Sequence, residues 1–250
     1  MMKVGLIGYG KAGAAVARVI DADERFELRW IARRTTDPTD TGHPVTRLAA
    51  DSFPAWLDRH PVDAVIDFSD ASAVHIYGEA IRRRGITLVS AISAYPKETL
   101  AYIRDLGRDI RVMSSPNITL GINFLMFAAR MLRRIAPFAD VEIVEQHFRD
   151  KPEISGTARK IAEKLEVDNE RITSLRLGGI VGHHEVIFGF PYQTVRLVHD
   201  SIRREAFGTG AAFALHELAK YPPGFYTYDD LLLNLIRQDL AVGSAQPAHA

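Results

Sequence analysis

The feature that most constrains this chain is its beginning. Lys3–Ile7 is a short apolar run, Gly8-Tyr9-Gly10-Lys11-Ala12-Gly13 follows at once, and Ala14–Ile20 is rich in Ala and Val. Strand, GxGxxG and helix in immediate succession is the context a dinucleotide-binding turn requires. Gly8 allows the tight turn, Gly10 lets the backbone approach a pyrophosphate, and Gly13 lets helix and strand pack closely. The competing reading is a glycine-rich structural turn in an α/β domain.

Phe26–Ala32 reads as the second strand, and the residues after it select the nicotinamide cofactor. A carboxylate there would bind the ribose 2′-hydroxyl of NAD, whereas guanidinium groups match a 2′-phosphate. Here Arg33-Arg34 stand at the strand end, with no acid before Asp37. NADPH is therefore favoured, NADH remains possible, and the alternative is that either arginine is a solvated loop residue. Thr36–His43 is polar and turn-rich. Asp63–Phe68, Thr87–Ser90 and Ile110–Met113 read as further strands, alternating with helices over Phe53–His60, Val74–Arg84 and Lys97–Gly107. That succession gives a doubly wound, mostly parallel sheet of Rossmann type, with ligands at the carboxyl ends of its strands. Ser69–Ser72, Ala91–Tyr95 and Ser114–Asn117 are the loops at those ends. Asn117 either orders the nicotinamide loop or makes an Asx-turn after Pro116.

Beyond the apolar helix Gly121–Ile135, the pattern changes to a second α+β domain. Strands over Asp140–Glu145, Ile172–Leu177, Glu185–Phe190 and Thr194–Val198 form a mixed or antiparallel sheet, and a helix spans Arg203–Leu218. Residues 145–158, EQHFRDKPEISGTA, concentrate the chemistry. His147 is a titratable ring and Lys151, four residues on, an ammonium. Ser155-Gly156-Thr157 open a helix over Ala158–Leu165, whose unpaired N–H groups and dipole attract anions. This combination points to a small carboxylate substrate that must be protonated. The plainer readings are a strand-end histidine, a solvated lysine and Ser155 as an ordinary N-cap.

Equal numbers of basic and acidic residues, 31 each, give no electrostatic case for nucleic acid or an anionic membrane. The chain has no cysteine, so disulfides and thiolate chemistry are excluded. No apolar run reaches the roughly 18 residues of a membrane span, and the first residues read as a strand rather than a signal peptide. A cytoplasmic enzyme is expected. His183-His184 carry no metal reading, since neighbours on a strand point to opposite faces. Residues from Ala241 are expected to be a disordered tail.

Several of these segments, in this order, resemble the dihydrodipicolinate reductase family, the NAD(P)H-dependent enzymes of the diaminopimelate route to lysine. The segments are GYGKAG at 8–13, DFSDASAV at 67–74, SPNITLGIN at 115–123, EQHFRDKPEISGTA, and RLGGIVGHHEVIF at 176–188, with His199, Arg204, Phe207 and Gly210 following. The resemblance implies a nucleotide domain over residues 1–120, completed by a C-terminal segment near 216–240. It also implies a domain over 121–215 for substrate and self-association, as a homotetramer or dimer. Hydride would pass to a cyclic unsaturated dicarboxylate, with His147 as acid-base group and Lys151 beside it. Ser155, Gly156 and Thr157 would bind carboxylate. Gly8, Gly10, Lys11, Ala12, Gly13, Phe68, Ser69, Ser90, Ala91, Ser115 and Asn117 would line the cofactor, and Arg204 would either pair with a carboxylate or hold a helix against the sheet.

The chain departs from the family pattern at four places. Phe148 stands at a substrate position where the family has a second histidine, and the Lys151–Ser155 interval is one residue shorter. Ser90-Ala91-Ile92-Ser93 replace GTTG, and Gly182-His183-His184-Glu185 replace GEHT. These differences leave open a related cyclic imino acid as substrate, or an NADP-binding sensor or assembly protein without turnover.

Overall fold

The computed structural model describes residues 1–35 and 41–243. They form two compact units, one of residues 1–119 together with those from Phe207 onward, the other Leu120–Ala206. The first unit begins β1 (Met2–Ile7), α1 (Lys11–Asp21), β2 (Phe26–Arg33), β3 (Val45–Arg47), α2 (Phe53–Arg59), β4 (Ala64–Asp67). It continues α3 (Val74–Arg82), β5 (Thr87–Ser90), α4 (Lys97–Leu106) and β6 (Arg111–Ser114). The second unit holds α5 (Leu120–Ile135), β7 (Asp140–His147), α6 (Gly156–Leu165), β8 (Ile172–Arg176), β9 (Gly182–Phe190) and β10 (Gln193–Ser201). The chain then closes with α7 (Glu205–Leu218), β11 (Gly224–Tyr226) and α8 (Tyr228–Gly243).

Seven parallel strands in the order β11-β6-β5-β4-β1-β2-β3 make the first sheet. β4 and β5 are buried throughout, so they are apolar runs without alternation, as strands covered on both faces must be. The order reverses between β1 and β4, the topological switch point where such sheets bind ligands. Register brings Ala32, Ile7, Asp67, Ser90 and Ser114 into one row across the sheet. The ladder runs one residue further, through Gly8 N to Ala32 O, Phe68 N to Ile7 O, Ala91 N to Asp67 O and Ser115 N to Ser90 O, all 2.8–2.9 Å. Four loops therefore leave the sheet along a single rim.

The return to this unit comes at Phe207, earlier than the expected position near 216. The reason is the small-residue face of α7. A Cβ on Gly208 would lie 2.5 Å from the Val19 side chain, and one on Gly210 would lie 1.8 Å from the Ile118 carbonyl oxygen. Only glycine permits that approach. β3 and β11 were not anticipated, because three residues are too few for a periodic signal. α8 continues to Gly243, which corrects the expectation of a disordered tail from Ala241; residues 244–250 lie outside the described residues, as does most of the expected 36–43 loop.

The second sheet has the order β10-β9-β7-β8, antiparallel except for the β7–β8 pair. Val141 and Ile143 of β7 and Val186 and Phe188 of β9 pack on Ile122, Leu125 and Met126 of α5 and Ile161 and Leu165 of α6. One face is thus a helix-covered core. His183 and His184, expected between strands, lie inside β9, where they alternate to opposite faces. Among the described residues no helix is long and apolar enough to cross a membrane.

Candidate active site

In the first unit, the glycine turn after β1 is shaped by what a side chain would strike. Gly8 adopts φ +91°, and a Cβ there would sit 2.6 Å from the Phe68 backbone. A Cβ on Gly13 would be 2.1 Å from the Gly8 carbonyl oxygen. Gly10 is different: nothing of the protein lies within 4 Å of its Cβ position, so open space remains beside the N-terminus of α1. No side chain caps that end of α1, and its first turn carries no acid. These features fit a pyrophosphate.

The neighbouring loops on the rim are fixed internally. Asp67, wholly buried, accepts from Ser69 N (2.8 Å), Ser69 Oγ (2.5 Å) and Tyr77 Oη (2.6 Å). Ser90 Oγ meets Tyr95 Oη at 2.6 Å. Asn117 Oδ1 accepts from Thr119 N at 3.5 Å, the Asx-type contact, and from Thr119 Oγ1 at 2.9 Å, and Ser115 Oγ donates to the Asn117 carbonyl. Arg33 ends β2 opposite Arg47 of β3. Arg34 extends to the loop after β4, where its Nη2 contacts Asp70 Oδ2 at 2.5 Å and Ser72 Oγ at 3.1 Å.

In the second unit, alternation carries the core face of the sheet into a polar patch. Val141 and Ile143 are followed at the same parity by Glu145 and His147, and Phe188 and Val186 are preceded by His184. Glu145 faces His184, which faces His199 on β10, so the three form a row. Glu145 is fully buried and His147 8% exposed. A carboxylate at such a position needs partners, and Glu145 has five. Its Oε2 meets His147 Nδ1 at 2.5 Å and accepts from Arg176 Nη1 (3.0 Å). Its Oε1 accepts from Arg176 Nη2 (2.8 Å), Ser174 Oγ (2.7 Å) and Ser155 N (3.2 Å). Burial alone would push the Glu145 carboxyl up, but Arg176, Ser174, His147 and the Ser155 N–H together outweigh it and hold the group at about 2. His184 is lowered to about 3, first by burial and then by the neighbouring His147 and His199, so it is neutral.

Arg176 uses all five of its N–H bonds. Besides Glu145, it donates to the carbonyls of Lys151 (3.0 Å), Glu153 (2.8 Å) and Leu175 (2.9 Å). The loop that carries Lys151 is thereby fastened to the sheet. The Lys151 ammonium itself has no partner among the described residues, and Phe148 is 45% exposed. His147 Nε2 faces Gly182, whose absent Cβ would lie 3.2 Å away.

The helix following that loop begins at Gly156, two residues before the expected Ala158. Ser155 does not cap it. Its hydroxyl meets His184 Nε2 at 2.8 Å instead, and no side chain caps this end of α6. The first N–H groups, from Gly156 and Thr157, adjoin open space at Gly156. Arg204 is exposed, just before α7, without an ion pair among the described residues.

Sequence reasoning brought His147, Lys151 and Ser155–Thr157 to this unit. It missed Glu145, Ser174, Arg176 and His184 as site residues. The parity of Glu145 and His147 with Val141 and Ile143 was a usable signal for a buried acid; the β8 partners depend on register between distant segments and gave none.

Comparison with known proteins accords with this architecture. The family model described as "Dihydrodipicolinate reductase, N-terminus" matches residues 2–118, and that described as "Dihydrodipicolinate reductase, C-terminus" matches 118–232. A 4-hydroxy-tetrahydrodipicolinate reductase of Caldanaerobacter subterraneus subsp. tengcongensis is 31% identical, covering 89% of this chain and 94% of its own. Its counterpart from Archaeoglobus fulgidus is 32% identical over 87% and 92%. The dipicolinate-bound dihydrodipicolinate reductase from Paenisporosarcina sp. TG-14 shares the fold, with TM-score 0.78 and 23% identity over 91% of this chain and 97% of that one.

Proposed function

Since this chain belongs to the dihydrodipicolinate reductase family, we propose that it reduces dihydrodipicolinate or a close cyclic imino dicarboxylate with NADPH as hydride donor, in the cytoplasm. The observation that carries this reading is the pairing of a supported imidazole, His147, with the start of helix α6, which Ser155 does not cap and which has open space beside Gly156. Bound at the rim of the first sheet, with its pyrophosphate beside Gly10, the reduced nicotinamide supplies the hydride. Gly156 and Thr157 hold a substrate carboxylate through their N–H groups, and the Lys151 ammonium neutralises charge beside it. His147 delivers from Nε2 the proton that hydride addition to an unsaturated bond requires. Phe148 offers an apolar contact where a second histidine would have donated a hydrogen bond. Self-association is part of the proposal: the sheet face opposite the core exposes Leu175 and Val198 on neighbouring rows.

The test is oxidation of NADPH with freshly generated dihydrodipicolinate. His147→Ala is expected to lose at least about 10²-fold in kcat, the usual contribution of a general acid. Cofactor binding without oxidation by the unaltered protein, on this substrate and on other cyclic imines, would overturn the reading.

Preference for NADPH depends on Arg34, and Asp70 competes for that guanidinium. Exposed pairs of this kind contribute about 0–1 kcal/mol; here the Arg34 side chain is exposed and Asp70 is partly so. Asp70→Asn is therefore expected to tighten NADPH binding by up to about five-fold while leaving NADH unchanged. Arg34→Ala is expected to do the reverse, and titration by nicotinamide fluorescence reads both. Equal effects on the two cofactors would remove Arg34 from 2′-phosphate recognition.

A further inference from the structure

The acid-base ring does not stand alone, and its support has a definite chemical direction. We infer that Glu145 is a positioning residue that fixes the proton-bearing state of His147, keeping Nδ1 protonated so that Nε2 is the atom that gives up a proton to substrate. This rests on the reading of His147 as the acid.

The geometry dictates the direction of the bond. An ionised carboxylate only accepts hydrogen bonds. With four other donors, Ser155 N, Ser174 Oγ and both Arg176 Nη groups, converging on its two oxygens, Glu145 is ionised, so the 2.5 Å contact requires the hydrogen on His147 Nδ1. Nε2 then has no protein partner among the described residues, and Gly182 leaves room beside it. In the charged ring both nitrogens carry hydrogen. The Nε2 proton passes to the substrate atom left electron-rich by the incoming hydride. The ring becomes neutral with hydrogen on Nδ1 alone, still donating to Glu145. One hydrogen bond thus serves the ring before and after transfer, with no rearrangement.

The same carboxylate also holds the carboxylate cradle. Its Oε1 accepts the N–H of Ser155, the residue immediately before Gly156 and Thr157. The acid and the anion site are therefore referenced to one buried group. The charged and titratable groups facing the ring are Glu145 on its own strand, Arg176 on β8, His184 on β9 and His199 on β10. Arg176 balances the Glu145 charge, and His184 is neutral. Of the four, Glu145 alone bonds the ring.

Glu145→Gln separates this role from simple packing. On the Oε1 side stand two groups that can only donate, Ser155 N–H and Arg176 Nη2–H, with the Ser174 hydroxyl beside them, against a single obligate donor, Arg176 Nη1–H, on the Oε2 side. That balance directs the Gln carbonyl to the Oε1 side and its NH2 group to the Oε2 side. The one neighbour on that side able to accept is His147 Nδ1, provided the ring moves its hydrogen to Nε2. The variant should thus hold the neutral ring in the opposite tautomer and disfavour the charged one.

The experiment is long-range 15N–1H NMR of histidine-labelled protein, with His147 assigned by His147→Asn, alongside pH-dependent kinetics. The unaltered protein should show neutral His147 with hydrogen on Nδ1, and Glu145→Gln with hydrogen on Nε2. In the variant kcat should fall on the order of 10²-fold, more than KM rises, and the alkaline limb of its activity profile should move to lower pH. Hydrogen on Nε2 in the unaltered folded protein would overturn the inference, whether or not the variant folds. So would a folded variant whose tautomer and pH profile match the original. If the tautomers are as expected but no cyclic imine is reduced, the functional reading fails and the Glu145–His147 pairing stands.

Discussion

Replacing Arg176 with Met is expected to destabilise the second unit by about 3–5 kcal/mol, the usual consequence of leaving a buried charge without its partner. Two of the five donors on the fully buried Glu145 come from this one guanidinium, in a fork that spans both oxygens. Its remaining hydrogens hold the carbonyls of Lys151, Glu153 and Leu175, so the loop between β7 and α6 would lose its fastening as well. Arg176→Lys is not a mild change here, because an ammonium cannot reproduce five fixed directions. Urea denaturation at neutral pH measures the loss.

The deficit should also depend on pH in a stated direction. Glu145 is held at about 2 in the folded protein, against 4.5 for an unperturbed glutamate. A depressed folded value means that this site's stabilisation is fully present above about 4.5 and is lost as pH falls toward about 2. Without Arg176 the carboxyl no longer gains from being charged. The gap between Arg176→Met and the unaltered protein should therefore be widest near neutrality and narrow on acidification. A gap independent of pH would mean that packing, not charge, makes Arg176 important.

The second large effect is expected at the nucleotide turn, where two glycines in one motif should fail in different ways. In Gly13→Ala the new methyl meets the Gly8 carbonyl oxygen at 2.1 Å, a backbone atom that no rotamer change can clear. Helix α1 must move away from the turn by about 1 Å, and a misplacement of that size at a binding site costs up to about 10²-fold. Both thermal stability and NADPH affinity should fall. In Gly10→Ala the methyl meets nothing of the protein within 4 Å, so the melting temperature should be nearly unchanged. If the space is kept for a pyrophosphate, affinity should nonetheless drop at least about ten-fold. Unimpaired NADPH binding by Gly10→Ala would place the pyrophosphate elsewhere.

The first unit was largely legible because its signals are local. Strand, glycine turn and helix lie within twenty residues, and each later β-α-β step repeats the same pattern of a short apolar run before a polar loop. The three-residue strands β3 and β11 escaped, since edge strands that short acquire their conformation from the neighbour they pair with. In the second unit the sequence singled out His147, Lys151 and the helix opening, again because they are close together along the chain. Only the plainer reading of Ser155, as an ordinary N-cap, is set aside: its hydroxyl meets His184 across 29 residues rather than the helix it precedes.

What the sequence by itself determined is the set of chemical groups and the two periodicities that sort them into a Rossmann-type sheet and a second, mixed sheet. Periodicity is a property of consecutive residues, so it survives without knowledge of the fold. What only the tertiary structure decided is which distant groups share a hydrogen bond. Glu145 and Arg176 are 31 residues apart, and their pairing follows from the parallel register of β7 on β8, which sets Glu145 beside Ser174 and His147 beside Arg176. That register is fixed by burying Ile143 and Ile172 in one core, and a slip of one residue would turn Arg176 to the other face and leave the carboxylate without a counter-charge.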